Sequence, residues 1–148
     1  MKIYFAAPFT LGPYVERLHV RAATLGHEPV SSWVASALGQ VDNLPMKSQR
    51  ERDEILEQND SDVERADILV AIVVPGLGKE MFCEAALARL LGKPIYWIGR
   101  EGDMPASAGR AGAAILPDDL ALMAILQETA GADGLQRVRF ALRFSGAR

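Results

Sequence analysis

Residues 66–99 read ADILVAIVVPGLGKEMFCEAALARLLGKPIYWIG. Ile68 to Val74 is a near-continuous apolar run rich in β-branched residues, as expected of a strand buried on both faces of a parallel sheet. Pro75-Gly76-Leu77-Gly78 breaks the run, and a helical pattern continues to Leu91. Gly92 stops that helix, Pro94 lies just beyond it, and Ile95–Ile98 begins the next strand. The stretch is one βαβ unit, with its glycine loop at the carboxyl end of a strand, where open α/β sheets bind ligands.

The helix of this unit carries an anomaly. On a wheel of about 100° per residue, Glu84 shares its side with Met81, Leu87, Ala88 and Leu91, opposite the direction flanked by Lys79 and Arg89. Acidic side chains are seldom found deep in an apolar face unless paired or functional. Glu84 also lies within about two turns of the helix start, where the dipole favours the ionised form. An ionised, partly desolvated carboxylate at the top of a parallel sheet can act as a nucleophile. The alternative is a glutamate solvated at the rim of a sheet that ends early. Cys83, about 100° away on the flank, reads as a small packing residue.

Outward from this unit, Lys2–Ala7 reads as a first strand. Pro8 to Gly12 is a loop, and Pro13 suits the first turn of a helix that buries Val15, Leu18, Ala22 and Leu25 and ends at Gly26. Pro29–Trp33 reads as a second strand, followed by an irregular loop through Leu44. Ser48 to Glu57 is charged and reads as an exposed helix, which Asn59 to Ala66 continues or kinks. Beyond the central unit, Arg100 to Gly112 is a loop and Ala114–Leu116 a fifth strand. Pro117-Asp118-Asp119 caps a helix with Leu120, Met123, Ala124 and Gln127 at helical spacing. The alternation predicts an α/β fold, a doubly wound flavodoxin-like three-layer sandwich with a mainly parallel five-stranded sheet, over residues 1–130. Residues 131–148 form a tail. In it Val138, Phe140, Leu142 and Phe144 fall on one face at a period of two, which predicts a strand, with an edge strand, a segment packed on a partner subunit and partial disorder as the open alternatives.

The 148-residue chain is long enough for a proper core, and its net charge of −3 argues against a general affinity for nucleic acid or anionic membrane. No apolar run approaches the ~20 residues that cross a bilayer. The segment MKIYFAAPF is too soon ended by Pro8 for a signal peptide. One cysteine excludes an intramolecular disulfide framework, so the reducing cytoplasm is the expected setting.

Other motifs fail on inspection. Gly78-Lys79 lacks the earlier glycine and following Ser or Thr of a P-loop, since Val73 and Glu80 occupy those positions. No G-x-G-x-x-G follows the first strand, and no G-x-S-x-G elbow occurs. His19 and His27 have no partners at metal-ligand spacing, so His19 reads as a helix-surface residue, His27 as part of a turn, and no metal is expected.

Three pieces in order, IYFAAPF, ADILVA and a glycine loop leading to EAALARLLGKPI, resemble the nucleoside 2-deoxyribosyltransferase-like superfamily, whose short members include nucleoside 5′-monophosphate N-glycosidases. The resemblance covers roughly residues 1–100, with GHEPVSSW resembling the second strand of short members. It implies that Glu84 is the nucleophile, followed by Ala88 and Gly92-Lys93-Pro94 at the family spacing, and that the Tyr4 hydroxyl contacts it. It implies that the loop from Gly76 to Gly78 wraps sugar or phosphate, with Ala6 and Pro8 at the end of the first strand also in the binding site. The family's base-holding aspartate falls at Asn59, with Asp60 beside it. Glu80, one turn before Glu84, is a rival nucleophile because the preceding loop is longer than in relatives with G-x-G-Y-E. The Asn and terminal Tyr that some transferases lend to a neighbouring subunit have no counterpart here.

The implied activity is N-glycosidic bond cleavage or transfer on a small-molecule nucleoside or nucleoside 5′-monophosphate, with no cofactor, through a covalent glycosyl-enzyme. A homo-oligomer is implied, because a neighbouring subunit helps close the family's site. Two other readings stay open. One is a non-catalytic nucleotide-binding module on the same fold, motivated by Asn59. The other is the lysine-decarboxylase-like group, whose P-G-G-x-G-T signature is absent.

Overall fold

The computed structural model describes residues 1–38, 48–106, 108, 112–131 and 133–138. Five parallel strands form one sheet: β1 (Lys2–Ala6), β2 (Glu28–Pro29), β3 (Ile68–Ile72), β4 (Ile95–Ile98) and β5 (Ala113–Leu116), in the order β2-β1-β3-β4-β5. The helices are α1 (Gly12–Thr24), α2 (Trp33–Leu38), α3 (Gln49–Arg65), α4 (Lys79–Leu90) and α5 (Asp119–Glu128). The predicted doubly wound, flavodoxin-like sheet is therefore present. Helices α1 and α5 touch each other, as do α3 and α4. Right-handed crossovers that leave β1 in opposite directions place these two pairs on opposite faces. The order reverses between β1 and β3, which opens a crevice at their carboxyl ends.

The core follows from burial on both faces of the central strands. All of β3 is buried, as is β1 from Ile3 onward. In α1 the buried face is Gly12, Val15, Leu18 and Ala22, behind a proline in its first turn. Helix α3 is a single run from Ser48, whose side chain and that of Glu51 form a reciprocal capping box. The residues it buries are Asn59, Asp62 and Val63, two of them polar. No helix among the described residues is long and apolar enough to cross a membrane.

Several expectations need correction. The second strand stops at Pro29, and Trp33 opens α2 instead. Its ladder ends because side chains take over the backbone bonding. The Phe5 N–H goes to the Ser31 hydroxyl at 2.6 Å, and the buried Asp62 carboxylate takes both the N–H (2.8 Å) and the hydroxyl (2.5 Å) of Ser32. Cys83 is exposed, and Leu91 is solvent-facing at the end of α4. In α5 the buried face is Leu122, Met123 and Leu126, while Leu120 is exposed. His19 is half-buried against the Phe5 ring, and burial pulls its pKa down to about 4. The predicted strand over 137–144 begins in a helical turn at 134–138, where Val138 is buried in the core; 139–144 lie outside the described residues.

Candidate active site

The crevice between β1 and β3 holds a cavity of about 250 Å³. Three segments wall it: the chain after β1 (Ala7–Thr10), the loop and first turns of α4 (Leu77–Met81 and Glu84), and the α3 side chains Ile55, Leu56 and Asn59, with Trp33 beside them. Gly78 adopts a left-handed conformation with φ 77° at the start of α4. A Cβ there would sit 3.1 Å from Pro8, so glycine lets the two loops close on each other.

Glu84 lies on this wall and is 7% exposed. Its Oε1 accepts two hydrogen bonds, from the Tyr4 hydroxyl at 2.6 Å and from the Asn59 amide at 3.0 Å. No hydrogen bond to Oε2 occurs among the described residues. The carboxylate is thus anchored by one oxygen and leaves the other for a ligand. Burial raises its pKa to about 7 against the hydrogen bonds of Tyr4 and Asn59, and the charges of Asp60 and Glu80 push the same way as burial. Burial and the adjacent Glu84 carboxylate push the Tyr4 phenol far up, so it remains a hydrogen-bond donor at any physiological pH.

The structure brings Glu84, Asn59, Gly78 and Pro8 to the cavity wall, with Tyr4 buried beneath it. Ala6 pairs with Ala71 inside the sheet, Gly76 sits outside the wall with φ 76°, and Asp60 is exposed on α3. None of these three lines the cavity, although the Asp60 charge reaches Glu84. Glu80 does line it, but among the described residues it takes no hydrogen bond.

Sequence reasoning missed two supports. The Trp33 indole donates to the Phe5 carbonyl at 2.9 Å and lies 6.1 Å from the Phe9 ring, giving the cavity an aromatic side. Asp62 is fully buried one turn past Asn59, tying Ser32 to α3 and also accepting from Gln58 and Arg65. Burial favours its neutral form, but the bonds from Ser32, Arg65 and Gln58 outweigh this and hold the carboxyl below its ordinary range. The Ser31-Ser32-Trp33 order was the available signal, because serines before an aromatic residue also suit a helix start. A second cavity of about 260 Å³ adjoins along α2 and α3 and shares Trp33, Ile55 and Asn59 with the first. No group of three His, Cys, Asp or Glu side chains able to hold a metal occurs among the described residues.

No protein-family model matches the chain, and no curated protein matches it by sequence. Solved structures do match. A 2-deoxyribosyltransferase of Bacillus psychrosaccharolyticus superposes with a TM-score of 0.62 at 20% identity, over 83% of this chain and 90% of that one. A CMP N-glycosidase of Clostridium botulinum superposes with a TM-score of 0.57 at 14% identity, over 85% of this chain and 98% of that one. With its 2-1-3-4-5 parallel sheet and its crevice between β1 and β3, the chain shares the flavodoxin-like fold of these two structures.

Proposed function

We propose that the protein cleaves or transfers the N-glycosidic bond of a nucleoside or nucleoside 5′-monophosphate, with Glu84 as nucleophile. One observation carries this reading: a buried carboxylate at the switch point of the sheet, anchored through Oε1 by Tyr4 and Asn59, with Oε2 unbonded among the described residues at a ligand-sized cleft. The fold shared with a deoxyribosyltransferase and a CMP N-glycosidase supports it.

In this mechanism Oε2 attacks the anomeric carbon and the C–N bond breaks. The base leaves with the bonding electron pair and is protonated by water at the cleft mouth, giving a glycosyl ester of Glu84. Attack by water on that ester releases the sugar, and attack by a second base gives exchange; either step returns the carboxylate. The Tyr4 phenol and Asn59 amide are positioning groups that hold the attacking oxygen in register and disperse charge on its partner. Phe9 and Trp33 offer a surface on which a base can pack.

The test is base release from a panel of nucleosides and 5′-monophosphates, with and without an added acceptor base, by liquid chromatography. The reading expects release that is lost in Glu84→Gln and retained in Glu80→Gln. Release without an acceptor identifies hydrolysis, and strict dependence on an acceptor identifies transfer. Equal ligand binding by wild type and Glu84→Ala with no turnover by either would leave a binding module on this fold.

A further inference from the structure

We propose that the cleft is shaped for an unphosphorylated nucleoside and turns away nucleoside 5′-phosphates, a refinement that rests on the N-glycosyl reading above. The charged side chains on the described wall are both carboxylates, Glu80 and Glu84, with no Lys, Arg or His among them. A phosphate monoester would bring about −1.5 to −2 charges beside them.

One uncharged polar group marks the place of a hydroxylated ligand. Asn59 commits its amide N–H to Glu84, which fixes the orientation of the amide, and its Oδ1 is then buried with no partner among the described residues. A buried acceptor of this kind is costly unless a ligand satisfies it. A sugar hydroxyl can donate to it, so this acceptor calls for a sugar, which the nucleoside and its monophosphate both carry. The other walls, among them Phe9, Ile55, Leu77 and Met81, are apolar and suit a neutral ligand. Two features of the wall could favour an anion, the Thr10 hydroxyl and the N-terminus of α4, and Glu80 stands in that first turn and answers its dipole from within the chain. A dianion in the cleft would also drive Glu84, already held toward its neutral form by burial, Asp60 and Glu80, further from the ionised state that attack requires.

The test pairs each common ribo- and deoxyribonucleoside with its own 5′-monophosphate on the intact protein. Dissociation constants come from calorimetry, and kcat/KM is added wherever base is released. The expected result is a preference for the nucleoside of at least ~100-fold, the scale of like-charge juxtaposition in a desolvated site. Glu80→Gln should narrow that preference about 10-fold, chiefly by improving the monophosphate. Nucleoside binding with this selectivity but no base release would uphold the ligand class and remove the N-glycosyl reading. Equal or tighter binding of the monophosphate, no binding of either, or a selectivity unchanged in Glu80→Gln would overturn the proposal.

Discussion

Glu84 concentrates the energetics of the site in one side chain. Its ordinary pKa is 4.5, and in the folded protein it is about 7. Between those values the folded chain keeps a proton that the unfolded chain has lost, so stability falls as pH rises through this window and is unaffected below it. Glu84→Gln removes the penalty while keeping an oxygen for Tyr4 and Asn59. It should raise stability by about 3 kcal/mol above pH 7 and by little below pH 4.5, as read by denaturant unfolding at the two extremes. In the proposed mechanism the same ionisation governs chemistry. For wild type, kcat/KM should climb with pH along an acid limb centred near 7. Tyr4→Phe should lower turnover at least ~10-fold, equal to ~1.4 kcal/mol in the barrier, and move that limb upward, because a hydrogen bond to the charged form is lost. An unmoved limb with full activity would leave Tyr4 a structural role only. The sequence made Glu84 visible as a carboxylate on an apolar helix face. Its partnership with Tyr4 came through the resemblance alone, since spacing within a chain cannot show which strand residue faces which helix. The orphaned Asn59 oxygen was invisible for the same reason.

At the scale of elements, the site depends on how α2, α3 and the two loops after β1 and β3 are held. Gly78 is left-handed and packs on Pro8, so Gly78→Ala should cost roughly 1–2 kcal/mol in backbone strain alone. It should also lower kcat/KM, by forcing apart the loops that make the cleft. Asp62→Ala would strand the Ser32 N–H and release α2 from α3. The expected loss is about 2–3 kcal/mol in chemical unfolding, with a raised KM from the displaced Trp33. By contrast, Ser48→Ala should cost about 1 kcal/mol through the lost cap and leave turnover unchanged. The strands and long helices were legible because period, glycine stops and caps agree with their tertiary surroundings. Residues 29–33 were not, since PVSSW has the β-branched and aromatic character of a strand. Asp62 and the Ser31 hydroxyl divert its backbone bonding, and composition does not reveal such long-range partners. Asp62 itself was hidden in ERDEILEQNDSDVER, which reads as solvated although three of its residues are buried.

For the whole molecule, the alternation of elements implies a doubly wound parallel sheet, and the structure's order β2-β1-β3-β4-β5 sets the crevice between β1 and β3. At Arg137 and Val138 the strand reading gives way, because Val138 fits both an alternating pattern and a short helical turn that buries it in its own core. That burial removes Val138 from any subunit interface, so an oligomer would have to use other surface. Leu56, Leu77 and Phe82 are exposed on or beside the elements that wall the cleft. A homo-oligomer remains the expectation drawn from the resemblance, and light scattering at micromolar concentration checks it, with a monomer as the contrary result. The most direct measurement is intact-protein mass spectrometry on acid-quenched reactions with a turned-over nucleoside, followed by peptide mapping. The expected result is a single sugar adduct on the peptide containing Glu84, absent in Glu84→Gln. An adduct mapped to Glu80, or full turnover by Glu84→Gln, would contradict Glu84 as the nucleophile.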